Sequence, residues 1–326
     1  MSKTSGPTLE MLWEHRDPVR VLSERFGFVD GDEAAVWVST ALADLWGVEV
    51  EVCHRLVMSD RNALAWVSAS SGPLLAKWSV CEERFPRLAA LARLTTWLGA
   101  QGLPVSAPVA ALDGRVQVEL DRASLSVQRV VPGDLLDVTA LDDVRQAGAV
   151  LARLHSALAT YPSADAVAAL LAPPVPTQDR IRSWLEEAPD HVPGVAVDAL
   201  RRLVADAPVS RWPAQLVHGD FRSANVLCAH SAVAAVIDFE EARLEEPLSE
   251  LARAAVLLGT RFRDWGPVAA EARQALLDGY RSVRDVTAAE ARWWAVLVLW
   301  NSVRMIPSGE DPMGWTSAAL EVLHGI

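Results

Sequence analysis

Cysteine is scarce in this chain. Cys53, Cys81 and Cys228 stand far apart and form no metal-ligand pair. An odd, scattered set argues against a disulfide framework and fits reduced thiols. Positive charge is short as well: 30 Lys and Arg against 42 Asp and Glu leave a formal net charge of -12. Binding a nucleic-acid backbone needs a basic face, so the charge balance argues against that class of partner. The same balance, with no basic cluster, counts against a membrane-surface adaptor. The most apolar runs, such as WWAVLVLW at 293–300, are too short to span a bilayer. The opening MSKTSGPTLEMLWEHRDPVR lacks the unbroken apolar core of a signal peptide. A cytoplasmic protein, with neither nucleic acid nor membrane as partner, is the expectation.

What is abundant is apolar side chain. Hydrophobic residues make up 51% of the 326 positions, enough to exclude disorder over most of the length. A chain of this size buries a large core in one big domain or two lobes. Residues 1–30 show mixed charge and little periodicity and are expected to be an extension. Acidic residues at the start and glycine at the end frame a helix at 32–47. Short strand-like pieces at 48–57, 63–70 and 73–80 follow, parted by polar turns as in an antiparallel meander. A helix is expected at about 83–101, then strands near 115–120 and 124–131. After PGD at 132–134 the spacing turns helical, as in LDDVRQAGAVLARLHSALATY at 141–161. Two helices are expected in 178–206 and more after 246. The boundary falls near 131, with a strand-rich lobe over 1–131 and a helix-rich lobe over 132–326.

The helix-rich half contains LVHGDFRSANVLC at 216–228 and, shortly after, AAVIDFEEARLEE. Phosphoryl transfer from a nucleotide needs a carboxylate facing the acceptor hydroxyl, oxygen ligands for magnesium and a cation near the phosphates. Asp220 and Asn225 have the D-x-x-x-x-N spacing of a kinase catalytic loop, and Asp238 ends a following strand. Blander readings stand beside these. An HGD turn is also a common turn former, Lys77 could be an ordinary strand lysine, and His218 and His155 read as hydrogen-bonded structural histidines. Glu240, Glu241, Glu245 and Glu246 could form a solvated stretch. Trp300, one of 13 tryptophans, could be core packing or a flat stacking wall.

HGDFRSANVL followed by VIDFE resembles the aminoglycoside phosphotransferase family, relatives of choline and homoserine kinases. LLAKW, VQRVVPGDLLD, AGAVLARLHSAL and PLSELARAA fit the same pattern in the same order, over roughly 48–260. The resemblance implies an α+β, bilobal protein-kinase-like fold, with a small antiparallel five-stranded N-lobe and a large, mostly helical C-lobe. It implies Asp220 as catalytic aspartate, Arg222 aimed at the transferred phosphate, and Asn225 and Asp238 as magnesium ligands. Lys77, Ser59, Gln128 and Val130 would meet the nucleotide, ATP or GTP, and Glu240, Glu241 and Trp300 the acceptor. The acceptor it implies is a small-molecule hydroxyl of an antibiotic-like or other metabolite, cationic ones included. A metabolic alcohol or sugar, or a Ser/Thr of a natural-product peptide, is the alternative. Two departures are visible: no glutamate stands near Leu91 to pair with Lys77, leaving Glu82 or Glu83, and VMSDRNALAWV has no glycine. These departures support the rival class, a nucleotide-binding pseudokinase or scaffold. The sequence carries no signal for oligomeric state.

Overall fold

The computed structural model describes residues 6–208 and 212–325. The chain forms two compact units, residues 1–131 and 132–326. Its class is α+β, with the strands concentrated in the first unit and the helices in the second.

The first unit holds β1 (Thr8–Met11), α1 (Pro18–Phe26), α2 (Gly31–Trp46), β2 (Val50–Met58), β3 (Asn62–Ala69), β4 (Gly72–Ser79), α3 (Phe85–Ala100), β5 (Val118–Leu120) and β6 (Ala123–Arg129). The sheet order is β1-β2-β3-β4-β6-β5. The expected meander is present, but the sheet has six strands and one pairing is parallel: β1 lies along β2 with Leu9 opposite Leu56. Residues 8–26 are therefore part of the fold and not an extension; residues 1–5 lie outside the described ones. The reason is packing. α1 and α2 bury Leu22, Phe26, Val38 and Leu42 in one cluster with Trp78, Leu56 and Leu125 of the sheet, a burial worth about 1.5–3 kcal/mol per large side chain. The termini of α2 follow local chemistry. The Asp30 carboxylate accepts the Glu33 N–H at 2.9 Å, and Gly47 closes the helix in the left-handed region.

The second unit contains β7 (Asp134–Leu135), α4 (Leu141–Leu158), α5 (Ala164–Ala168), α6 (Thr177–Glu186), α7 (Gly194–Asp206), β8 (Gln215–Val217), β9 (Val226–Ala229), β10 (Ala232–Val236), β11 (Arg243–Glu245), α8 (Pro247–Leu257), α9 (Ala270–Arg281), α10 (Ala288–Val303) and α11 (Trp315–His324). Helix α5 is an addition to the expected pattern. Gly148 of α4 and Gly279 of α9 each face the other helix's backbone so closely that a Cβ at either would collide with a carbonyl oxygen. That close crossing brings Tyr280 beside His155. α10 starts with a full capping box between Thr287 and Glu290.

Candidate active site

Two short ladders hold the HGD segment. β8 runs antiparallel to β11, with Leu216 opposite Leu244. β9 and β10 form a hairpin turned by His230 and Ser231, both at positive φ. Residues 218–225 bridge β8 to β9. Gly219 has φ 90°, and a Cβ on it would collide with the Glu241 carbonyl oxygen, so only glycine lets the loop lie against 239–242.

His218 is fully buried. Its Nε2 donates to the Ile237 carbonyl at 3.0 Å, and its Nδ1 accepts the Asp220 N–H at 3.2 Å. A carbonyl only accepts and an amide N–H only donates, so the partners select the Nε2–H tautomer. Ile237 in turn donates its N–H to the Asn225 carbonyl at 2.9 Å. One imidazole thus ties the loop to the residue that precedes Asp238. Asp238 itself has φ 64° and ψ 69°, a left-handed conformation uncommon outside glycine, and its side chain is exposed.

Asp220 is bonded from one side. Its Oδ2 accepts from Asn225 Nδ2 at 2.8 Å and from Arg222 Nε at 3.0 Å. Among the described residues Oδ1 accepts nothing, and the side chain is 29% exposed. Asn225 spends its second amide hydrogen on the Asp220 carbonyl at 2.8 Å, which leaves its Oδ1 as the unspent group. The Arg222 guanidinium lies 5.3 Å from the Trp265 ring centroid, and its Nη1 is buried with no acceptor among the described residues.

Beneath the loop lies a saturated layer. The Glu250 carboxylate, on the first turn of α8, accepts the N–H groups of His218 at 3.0 Å and Gly219 at 2.5 Å. His155 Nε2 donates to the same carboxylate at 2.8 Å, and His155 Nδ1 shares a hydrogen bond with the Tyr280 hydroxyl at 2.8 Å. Burial pushes the Glu250 carboxyl up, but the His155 hydrogen bond and the His155 and Arg253 charges overcome it and hold the group down at about 2. Glu245 is equally enclosed: Arg180 at 2.7 Å, Arg253 at 2.6 Å and Arg243 at 3.1 Å converge on it. Burial again works against the charge, and the three guanidiniums keep the carboxyl below its ordinary value.

In the first unit, Lys77 and Gln128 share the sheet face opposite the Trp78 core, because β4 and β6 pair with Lys77 opposite Ser126 and Leu75 opposite Gln128. Lys77 is half-buried. Gln128 Oε1 accepts from Ser106 at 3.2 Å, and the Val130 N–H donates to the Pro73 carbonyl at 3.2 Å. Ser59 is buried in the tight β2–β3 turn, its hydroxyl donating to the Asn62 carbonyl at 3.2 Å. That hydrogen-bonded turn needs no glycine. Glu82 pairs with Arg122 at 3.2 Å on the surface, and Leu91 is core.

In the second unit the structure brings Asp220, Arg222, Asn225 and Asp238 together in one hydrogen-bonded segment. Glu240 and Glu241 sit on the surface turn after Asp238. Trp300 is 3% exposed, with the guanidiniums of Arg180 and Arg304 at 5.2 and 4.7 Å from its ring, so it presents no open stacking wall. Glu250, Arg253 and Trp265 were not anticipated. PLSELARAA fits the family pattern as a segment, but its glutamate by itself looks like any first-turn acid. Among the described residues no three His, Cys, Asp or Glu side chains are grouped so as to hold a metal ion by themselves, and no helix is long and apolar enough to cross a membrane.

Residues 60–291 match the model of the phosphotransferase enzyme family. A homoserine kinase of Cupriavidus metallidurans is 25% identical over 244 residues, covering 68% of this chain and 69% of that protein. Against other homoserine kinases the matched share of their length is 61% to 64%. Among solved structures, the macrolide 2'-phosphotransferase MphH from Brachybacterium faecium superposes with a TM-score of 0.59 at 17% identity, over 89% of this chain and 98% of that one. A spectinomycin phosphotransferase bound to ADP and spectinomycin gives 0.56 at 13% identity, over 89% and 97%. The fold is theirs, the protein-kinase-like fold expected from the motifs.

Proposed function

The chain belongs to the phosphotransferase enzyme family, and from that premise we propose that it transfers the γ-phosphoryl group of ATP or GTP, with magnesium, to a hydroxyl group of a small metabolite. The observation that carries this reading is the one-sided bonding of Asp220. Asn225 and Arg222 both bond Oδ2, which orients the carboxylate and leaves Oδ1 for the acceptor hydroxyl. Asp220 orients that hydroxyl and takes its proton as the oxygen attacks phosphorus.

The donor set suits magnesium, which prefers hard oxygen ligands. Asn225 has Oδ1 to offer, and Asp238 has an exposed carboxylate placed by Ile237 and His218. Bound there, the metal screens the charge on the phosphate oxygens. Arg222 holds Asp220 by Nε and has Nη1 for an oxygen of the migrating group. Lys77 contributes a second cation to the nucleotide phosphates. Ser59, Gln128 and Val130 are assigned to the nucleotide as well, Val130 through its carbonyl because its N–H is already spent.

A metabolic acceptor is preferred over an antibiotic. The relatives found by sequence include homoserine kinases and, over 47% of this chain at 33% identity, a glucosamine kinase of Streptacidiphilus jiangxiensis, whereas the antibiotic kinases resemble the chain at only 13–17% identity, in fold. Glu240 and Glu241 are the acidic side chains nearest Asp238 along the chain, and an acceptor ammonium is assigned to them.

The test is a γ-phosphate transfer screen over hydroxy amino acids, amino alcohols, sugars and antibiotics, read by mass spectrometry. A phosphorylated metabolite whose formation needs magnesium and the Asp220 carboxylate is the expected result. Nucleotide binding without turnover over the whole panel would favour the scaffold.

A further inference from the structure

The acidic composition draws attention away from a basic place in the second unit. Four arginines, Arg180, Arg243, Arg253 and Arg304, share this place with one buried carboxylate, Glu245. Three of them pair with it at 2.6 to 3.1 Å. The neighbouring Glu246 adds no ion pair among the described residues: it accepts the Thr177 N–H at 3.1 Å and its hydroxyl at 2.5 Å, capping α6. Arg304 stays outside the arrangement. Its guanidinium lies 4.7 Å from the Trp300 ring centroid, on the ring that Arg180 also covers, and it has no carboxylate partner among the described residues. Partial desolvation, then the like charges of Arg180 and Arg253, lower its pKa; Glu245 is the one carboxylate acting against them.

A second observation points the same way. Trp300 Nε1 is a buried donor with no acceptor among the described residues, in a side chain 3% exposed. A buried donor left unmet costs about 1–3 kcal/mol, and guanidiniums packed without a matching anion repel one another. Three guanidiniums that share one carboxylate and a fourth that has none, beside an unmet N–H, are complementary to an oxyanion, and the guanidinium fork fits a carboxylate best.

We infer that this arginine cluster binds a carboxylate of the acceptor, making the substrate a hydroxy acid. The inference rests on the kinase reading above and deepens it. Proximity to the reacting group is set by Arg253, which reaches the Gly219 carbonyl at 3.4 Å, one residue before Asp220, while its other nitrogen holds Glu245 at 2.6 Å. Arg253 thus joins the cluster to the loop that carries Asp220, and the proposal puts the hydroxyl of a short acceptor at Asp220 and its acid end at Arg304. An ammonium at that end would meet like charge.

The experiment offers L-serine, L-homoserine and 4-hydroxybutyrate, each beside its carboxamide, to the full chain with Mg-ATP. Direct binding of each is measured by calorimetry without nucleotide. The acids are expected to exceed their amides in kcat/KM by about tenfold or more. Arg304→Gln raises KM for the acids with a smaller change in kcat, and Arg304→Glu inverts the preference toward the amides. A melting curve confirms that both variants fold. Equal or better transfer to the amides, or an acid preference untouched in both variants, overturns the carboxylate site and leaves the kinase reading standing. Acid binding that Arg304→Glu abolishes, in a protein that neither binds nor turns over Mg-ATP, supports the site and sinks the kinase reading. Failure of every acid to bind or react overturns the site.

Discussion

Asp220 and Glu250 are carboxylates of the same unit, one residue apart in hydrogen-bond terms through Gly219, and they are used in opposite ways. Glu250 is closed: two backbone N–H groups and His155 fill its oxygens, and no solvent reaches it. Asp220 is bonded on Oδ2 alone and partly exposed. A saturated buried carboxylate fixes geometry, and a half-satisfied one at the surface keeps capacity for another group. If that difference is what separates support from chemistry, replacing each residue should damage a different property.

Asp220→Asn is the largest expected effect on turnover. The amide keeps the shape and loses the base, so kcat is expected to fall about 10²–10⁴-fold. The melting midpoint should move by no more than about 2 °C, as for other partly exposed substitutions. Transfer assays beside a thermal melt check both halves. Full activity in Asp220→Asn would break the comparison at its catalytic end.

Glu250→Ala should do the reverse. It strands two backbone N–H groups and His155 in a buried site, a loss of about 3–5 kcal/mol, measured by denaturant unfolding. Any loss of activity should follow the folded fraction and the disturbed 218–219 backbone. A variant as stable as the parent would show that the closed carboxylate holds nothing.

Much of the open half was legible from the chain. Asp220 and Asn225 lie in one loop, where covalent spacing alone brings them together, and Asp238 comes two residues after a strand that pairs with the loop's exit. The fold class followed from strand-rich and helix-rich halves for the same local reason. The closed half depends on distant partners. His155 and Glu250 are 95 positions apart, and Glu246 meets Thr177 across 69. Four glutamates that look like one acidic stretch become two at the surface, one enclosed by three arginines and one capping a helix. The pairing of β1 with β2 escaped for a related reason: a four-residue parallel edge strand carries too little alternation to be seen, and its contacts lie some 47 residues downstream.

Acid should separate the two carboxylates without mutation. The Glu250 pKa in the folded chain is about 2 against an ordinary 4.5. A lowered folded value means that the group's contribution to stability is complete above 4.5 and is lost as pH falls from there toward 2. Unfolding midpoints of the parent and Glu250→Gln, followed from pH 7 to 2.5, should therefore converge below about 4.5. A parent advantage that persists undiminished at pH 2.5 would contradict the charged, enclosed state of Glu250.

The smallest effect probes how far the closed layer extends. Tyr280 stands one step behind the loop's anchor: its hydroxyl bonds His155, whose other nitrogen bonds Glu250. Tyr280→Phe removes that hydroxyl and leaves the ring in place, at a cost of about 1 kcal/mol, the net worth of one buried hydrogen bond. His155 keeps its bond to Glu250, so the loop backbone keeps its anchor and kcat should change less than threefold. A loss as large as that of Glu250→Ala would mean that His155 is set by the tyrosine and not by the carboxylate. The support for the loop would then begin in α9, at the Gly148–Gly279 crossing, and not in the first turn of α8.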